Sequence, residues 1–396
     1  MKDLDVEGVT LRAGTEADAV CGVPPDRVAR PENTEALGRL LATARDAGAT
    51  VTPRGGGTAL DWGSPPRSLD LMVDTSALSW IDHNAGDLVV EVGAGTPLAE
   101  LRRTLAEAGQ RLSHDPVRVG GTVGGALATG VNGPRRLLAG TLRDLVIGMT
   151  LVRADGVVAR SGGRVVKNVA GYDLAKLHTG GYGTLGVIAS AAFRLHPLPS
   201  AVRVVSVPLR SRERTERSLA ALRATAVVPA AVELDHDRLC VVLEGTAEGL
   251  VPRVEETVRA LGGDDAEVTE ALPEGWGVLP TEGTLARILV PPAEVPSLVE
   301  ELDALAGDVR WYGSIPAGTL YLSFAPGTPV DVVEKLSAAV RRAPDRSAVL
   351  LRAEPHLHEA GVDPWGEVPG LSLMRAVKDS FDPDHRLSPG RFAGGI

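Results

Sequence analysis

The 396-residue chain is 44% apolar, and its 41 Lys+Arg against 51 Asp+Glu leave a net charge of -10. That apolar content suits two or three domain cores, while the acidic balance offers no field to gather nucleic acid or anionic lipid. Its acidic start, MKDLDVEGVT, and the lack of any run near ~18 apolar residues predict a cytoplasmic protein without membrane insertion, and two cysteines, Cys21 and Cys240, are too few for a disulfide framework or an iron–sulfur cluster of its own.

The first predicted element is a helix from Pro31 to about Ala47, with Leu37, Leu40, Leu41 and Ala44 on one stripe, Pro31 at an N1-like position and Gly48 as its stop. A short strand, Ala49–Thr52, then runs into Pro53-Arg54-Gly55-Gly56-Gly57-Thr58, where consecutive glycines imply a sharp turn or a close backbone approach. Alternating residues predict strands at Leu69–Val73 and Leu88–Val92, followed by a helix entered at Thr96-Pro97 and ended near Gly109. A second glycine-rich stretch, His114 to Ala126, contains Asp115, Pro116, Gly120, Gly121, Thr122, Gly124 and Gly125, and precedes Asn132-Gly133-Pro134 and Arg143. Ile147–Val152 and Val157–Arg160 flank Asp155-Gly156 as a hairpin. Next come Lys167-Asn168-Val169-Ala170-Gly171-Tyr172-Asp173, a helix through Leu177, and the strand Val187–Leu195.

Pro197 and Pro199 mark a domain boundary, after which the glycine clusters vanish. Strands Val202–Leu209 and Leu239–Leu243 alternate with helices Arg214–Ala224, Leu250–Leu261 and Val295–Leu305, a pattern of split β-α-β units on an antiparallel sheet. The segment Phe381 to Phe392 is too rich in Pro and Asp for a helix and is expected to pack back on the earlier domains.

Consecutive glycines let backbone N–H groups converge on phosphate oxygens, and Arg54 would add a fixed positive charge. A literal G-x-G-x-x-G at Gly181, Gly183 and Gly186 does not indicate a Rossmann site: it precedes a strand instead of following one, and Ser200–Arg210 contains no acidic residue for the ribose. No Gly-Lys-Ser/Thr follows any glycine cluster, so a Walker loop is absent as well.

In their order, the segments Pro53–Leu60, Gly120–Ala126, Lys167–Leu174 and Gly183–Ser190, with the terminal Phe381–Arg391, resemble the vanillyl-alcohol-oxidase (PCMH) type of FAD-binding oxidoreductases, most nearly the FAD-binding second subunit of bacterial glycolate oxidase. The resemblance implies an α+β fold: a PCMH-type FAD-binding domain over 1–197, with lobes of about 1–78 and 79–197, a smaller cap with an antiparallel sheet and ferredoxin-like elements over 198–354, and a C-terminal segment 355–396 that packs back on the FAD domain. It also implies a site. Pro53 and Arg54 to Thr58 would hold the pyrophosphate; Asp115, Pro116, Gly120, Gly121, Thr122, Gly124 and Gly125 would line the ribityl chain and flavin; Val187 and Ile188 would meet the pyrimidine edge. Asn132, Arg143 and Asn168 would serve as further contacts or supports.

Two departures from that family shape the expected function. No histidine occurs in Ala59-Leu60-Asp61-Trp62-Gly63, so FAD would be held non-covalently. The His-x-Gly-Asp-Gly-Asn motif of catalytic relatives is missing between 201 and 396, and no metal site is expected. Its nearest local substitute, Arg352 to His358, places His356 and His358 beside Glu354, where Pro355 would break the segment and leave a solvated surface turn. His114, next to Asp115, is another weak catalytic candidate, and Lys167 and Tyr172 read as structural. The implied activity is oxidation of a 2-hydroxy acid, glycolate or D-lactate, with electrons passed to a homologous flavoprotein and an iron–sulfur subunit. The alternatives are a self-sufficient flavin enzyme acting on another alcohol and a non-catalytic flavoprotein scaffold or relay. Gly57→Asp should disable the phosphate loop, with Gly183→Ala the milder change.

Overall fold

The computed structural model describes residues 5–164, 172–209, 211–235, 238–263, 265–305 and 309–396. Lys167 and Asn168 lie outside these residues. The first lobe is a four-stranded sheet of β1 (Val9–Ala13), β2 (Arg27–Pro31), β3 (Val51–Arg54) and β4 (Leu71–Asp74), in the order β1-β2-β4-β3. Its helix spans Thr34–Asp46 and buries Leu37, Leu40, Leu41 and Ala44, the predicted stripe. Pro31 does not open that helix. It ends β2, and Asn33 caps the helix by accepting from the Ala36 N–H at 2.9 Å, because a side-chain oxygen satisfies a free N-terminal donor that proline cannot.

The second lobe follows with β5 (Ile81–Asn84), β6 (Val89–Gly93), β7 (Gln110–Arg111), β8 (Val146–Val152), β9 (Val158–Gly162), β10 (Val187–Arg194) and β11 (His196–Pro197). Five of these strands form one antiparallel sheet, β5-β6-β10-β8-β9, and β7 pairs with β11. The β8–β9 hairpin turns at Asp155-Gly156, as its sequence predicts. Val152, Ala154, Val187 and Ala189 of this lobe share one apolar cluster with the first lobe's Leu37, Leu40, Val51 and Leu71.

The remaining strands, β12 (Ala201–Pro208), β13 (Ala231–Asp235), β14 (Arg238–Gly245), β15 (Glu267–Thr269), β16 (Leu285–Leu289), β17 (Arg310–Ser314), β18 (Thr319–Ser323) and β19 (Ser347–Arg352), form one eight-stranded sheet. Every neighbouring pair in it is antiparallel, so the fold is α+β with an antiparallel cap. Its helices cover one face over Val205, Val241, Ile288 and Leu320, while the opposite face, carrying Leu285, Tyr321 and Leu351, packs on Trp62, Val117 and Val131 from the lobes. Pro355 starts a short helix, Pro355–Glu359, instead of breaking the segment, since the first helical position needs no N–H.

The tail returns to the first lobe. Val51 donates to Arg386 O and Ser388 donates to Val51 O, both at 2.8 Å, which adds a parallel bridge beside β3. Lys378 and Asp382, both fully buried, pair at 2.7 Å, and the Lys378 ammonium also donates to Thr184 O and Leu387 O at 2.8 Å each.

Candidate FAD-binding site

The edge strand β3 delivers the first glycine loop against the second. A Cβ on Gly55 would lie 2.1 Å from Thr122 Oγ1, and one on Gly56 would lie 2.1 Å from Gly120 O. The glycines are therefore required first by the contact between the loops. Gly57 differs, with φ +73° and nothing nearer than 3.8 Å to a built Cβ. Among the described residues, the N–H groups of Gly55, Gly56, Gly57 and Thr58 donate to no protein acceptor, which leaves a row of free donors along the loop.

Two joined cavities run along these loops. The first is lined by Pro53 to Leu60, Trp62, His114, Arg118, Gly121, Thr122, Gly125, Tyr182 and Arg391. The second shares Pro53, Arg54, Gly55 and Gly125, and adds Thr75, Gly124, His178, Val187 and Ile188. Asn132 lines neither: its Oδ1 accepts from Leu142 N at 2.8 Å and it faces a third cavity under the cap. Asp115, Pro116, Gly120 and Arg143 also lie off the lining. The Asp115 carboxylate is held by Arg135, Gly120 offers its carbonyl to the Gly56 contact, and Arg143 donates to Lys176 O at 3.0 Å on the surface. His356 and His358 sit in the short helix after β19, where His356 Nε2 lies 3.0 Å from Thr328 O, and neither lines the trough. Among the described residues no group of three or more His, Cys, Asp or Glu is placed to hold a metal.

The expected role of Arg54 needs correction. Its guanidinium lies 2.6 Å from both Asp18 and Asp74, and Asp18 is also gripped by Arg12 at 2.6 Å. Arg12 and Arg54 hold the Asp18 carboxyl far below the usual range. A guanidinium bracketed by two carboxylates supplies no net positive charge; it pins the loop. The uncompensated charge sits elsewhere. Arg118, Arg352 and Arg391 are all buried, with Asp61 the carboxylate near the first two, at 3.3 and 3.7 Å. Burial, only partly offset by Asp61, pulls Arg118 and Arg352 below the ordinary guanidinium value. Arg391 donates to Trp62 O at 2.6 Å, Leu60 O at 3.2 Å and Cys21 Sγ at 3.3 Å. Arg118 also stacks 5.3 Å from the Trp62 ring centroid. Sequence reasoning missed Trp62, Arg118, Tyr182 and Arg391, although Arg118 stands inside the second glycine stretch and Arg391 ends the tail segment.

His114 lines the first cavity, and burial, opposed by Asp115, pushes its pKa down to about 4, so the imidazole is neutral near pH 7. Trp62 Nε1 and Thr52 Oγ1, also in that wall, are buried without a partner. Free backbone donors, orphaned side-chain groups and an elongated trough between two glycine loops fit a dinucleotide whose phosphates need N–H groups in place of bulk.

A two-lobed scaffold with such a trough, closed by an antiparallel cap, defines a flavin-dependent oxidoreductase, and comparison with known proteins agrees. The FAD binding domain family matches residues 25–162. Glycolate oxidase subunit GlcE of Escherichia coli is 32% identical over 59% of this chain and 67% of that protein. Glycolate oxidase subunit GlcD of Bacillus subtilis is 26% identical over 93% of this chain and 88% of its own length. An alkyldihydroxyacetonephosphate synthase superimposes with a TM-score of 0.70 at 16% identity, over 93% of this chain and 76% of that one, which supports the fold. The chain belongs to the vanillyl-alcohol-oxidase (PCMH) type of FAD-binding oxidoreductases, and FAD is its cofactor. No described helix is long and apolar enough to cross a membrane.

Proposed function

We propose that this chain is a subunit of the glycolate oxidase FAD-binding type, oxidising a small 2-hydroxy acid such as glycolate or D-lactate and passing electrons to a homologous flavoprotein and an iron–sulfur partner. Bound FAD supplies the hydride acceptor, and the protein supplies position and field. The cap end of the trough carries the reading: Arg118 and Arg391 line it, Arg352 lies beside it, and Asp61 is 45% exposed. At that end Arg118 and Arg391 outnumber the one partly exposed carboxylate, Asp61, which favours an anion there, consistent with a 2-hydroxy carboxylate beside a cofactor whose phosphates lie on the free N–H groups.

The lining also orients the cofactor. The cavity with Val187 and Ile188 draws its residues from the lobes alone, whereas Trp62 and Val117 at the other end touch Leu279, Leu285 and Leu351 of the cap. The reacting ring belongs at the cap end, so Val187 and Ile188 would meet the adenine end and not the pyrimidine edge. Gly55 to Thr58 would hold the pyrophosphate between them.

The test is anaerobic mixing of the purified chain with a panel of 2-hydroxy acids while flavin absorbance is followed, then again after addition of the two partner subunits. Slow bleaching alone and fast dye reduction in the complex support the reading; rapid bleaching of the isolated chain at low millimolar acid overturns the division of labour. One observation supports that second, self-sufficient reading: His114 lines the trough as a neutral imidazole, and in that reading it would accept the hydroxyl proton at a ring nitrogen. His114→Ala would then abolish bleaching while flavin content is retained.

A further inference from the structure

Five residues other than glycine hold left-handed backbone among the described residues, and of these Tyr182, at φ +51°, alone lines the trough. Its neighbours are Gly180 and Gly181 before it and Gly183 after it, so the loop could follow the same path with less strain if position 182 carried no side chain. An outlier of that kind points to something the side chain does. Gly181 and Gly183 line the second cavity, whereas Tyr182 lines the first, where it packs against the cluster of Trp62, Val117, Leu285 and Tyr321 at the cap end. Packing accounts for the ring. It meets Trp365 edge-on and Phe392 obliquely, with 5.7 Å between centroids in each case, Trp365 donates to Ser64 Oγ at 3.0 Å, and a Cβ on Gly63 would come within 3.3 Å of the ring. A phenylalanine would make all of these contacts, so they leave the hydroxyl unexplained. The hydroxyl donates to no described residue, and unlike Trp62 Nε1 it is not sealed off by packing, so it opens on the trough. Burial raises its pKa against the pull of Arg287 and Arg391, which keeps it a protonated donor.

We propose that the Tyr182 hydroxyl donates a hydrogen bond to the ring system of the bound flavin and raises its reduction potential. Reduction adds electron density to the acceptor atoms of that ring, and a donor already held in place binds the more negative form more strongly. The inference rests on the orientation argued above, with the reacting ring at the cap end of the trough.

The test is the potential of bound FAD in the purified full chain, measured against a reference dye during slow enzymatic reduction with no hydroxy acid present. Tyr182→Phe keeps the ring and should lower the preference for the reduced flavin about tenfold, which is about 30 mV for a two-electron couple, with an unchanged melting temperature. Trp365→Phe disturbs the ring's packing and leaves the hydroxyl, so its potential should stay at the wild-type value even where its melting temperature falls. A potential that follows the melting temperature across the two variants would make the effect one of packing and overturn the inference. A wild-type potential in Tyr182→Phe overturns it as well. If FAD affinity falls in that case, the hydroxyl meets the adenine or the phosphates; if binding of 2-hydroxyisobutyrate falls, it meets the substrate. That acid has no hydrogen on C2 and cannot be oxidised there. Because the potential is read without turnover, an unchanged value leaves the 2-hydroxy-acid reading standing. A shifted potential in a chain that no 2-hydroxy acid reduces, alone or in the complex, upholds the hydroxyl's role and overturns the substrate.

Discussion

Gly57→Asp separates the phosphate-binding role of the first glycine loop from its structural one. At φ +73° the position is left-handed, a region Asp and Asn tolerate better than other residues, and the nearest atoms to a new Cβ are Arg54 Cδ and Leu60 Cδ1 at 3.8 Å. The side chain therefore enters open space. Arg54 cannot neutralise the added charge, because Asp18 and Asp74 already occupy its guanidinium at 2.6 Å each. A carboxylate ~5 Å from one phosphate charge at an effective dielectric of ~20 costs about 3 kcal/mol, which is roughly a 100-fold loss of FAD affinity. Gly57→Asn has the same shape and backbone preference without the charge, so it should lose far less. The assay is FAD titration of the apoprotein, with flavin fluorescence quenching as the readout and thermal melting as the control for folding. Equal FAD affinity in the Asp and Asn variants would refute the assignment of phosphate to this loop.

Gly183→Ala, which the sequence makes look mild, should be severe: φ is +73° and the new Cβ would sit 2.5 Å from Pro53 Cγ, at the base of the glycine loop. Left-handed strain and overlap each cost on the order of 1–3 kcal/mol, so a lowered melting temperature with partial flavin loss is expected, and a wild-type melt would contradict it. Acid should destabilise the fold before its carboxylates titrate. Burial pushes His114 and His178 down to about 4 from 6.5, so the unfolded chain binds protons that the folded one refuses, and stability falls as pH drops from about 6.5 to about 4, by on the order of 1–3 kcal/mol per residue. Urea midpoints measured across that window for wild type and His178→Gln would test this, the variant showing the shallower slope. Lys378→Met should cost about 3–5 kcal/mol by stranding Asp382 as a buried charge, and the double change Lys378→Met/Asp382→Leu should recover most of it. Denaturant curves in which the double variant is the weaker would sink that account.

Much of the scaffold is written in local signals. The Asp155-Gly156 turn, the buried stripe of Leu37, Leu40, Leu41 and Ala44, and the strand–helix alternation after Ser200 each depend on residues within a few positions of one another. The trough was legible through its two glycine stretches, because backbone without side chains is a conspicuous composition. Its electrostatics were not. Arg54 meets Asp18 and Asp74, 36 and 20 residues away, and nothing around either aspartate announces the pairing. The prolines misled in opposite ways: Pro31 ends a strand and Pro355 starts a helix, since a fixed φ suits both and only tertiary packing decides. Gly183 reads as one of several turn glycines until Pro53 is seen against it.

The same long-range pairings explain why one short loop can report on the whole molecule. Arg54 ties its start to the first lobe, and Gly55 and Gly56 press it on the second. Just beyond it, Gly63 donates to Leu351 O of the cap at 2.8 Å, Trp62 bridges to Arg352, and Arg391 of the tail donates to Trp62 O at 2.6 Å. Residues 53 to 64 are thus fixed by the first lobe, the second lobe, the cap and the tail, so local opening of any one of the four releases a wall of the trough. A cofactor filling that trough binds only when all four are in place, and by linkage it stabilises them together. The cap and tail therefore belong to the cofactor site as much as the glycine loops do, even though the glycine loops alone carry its sequence signature.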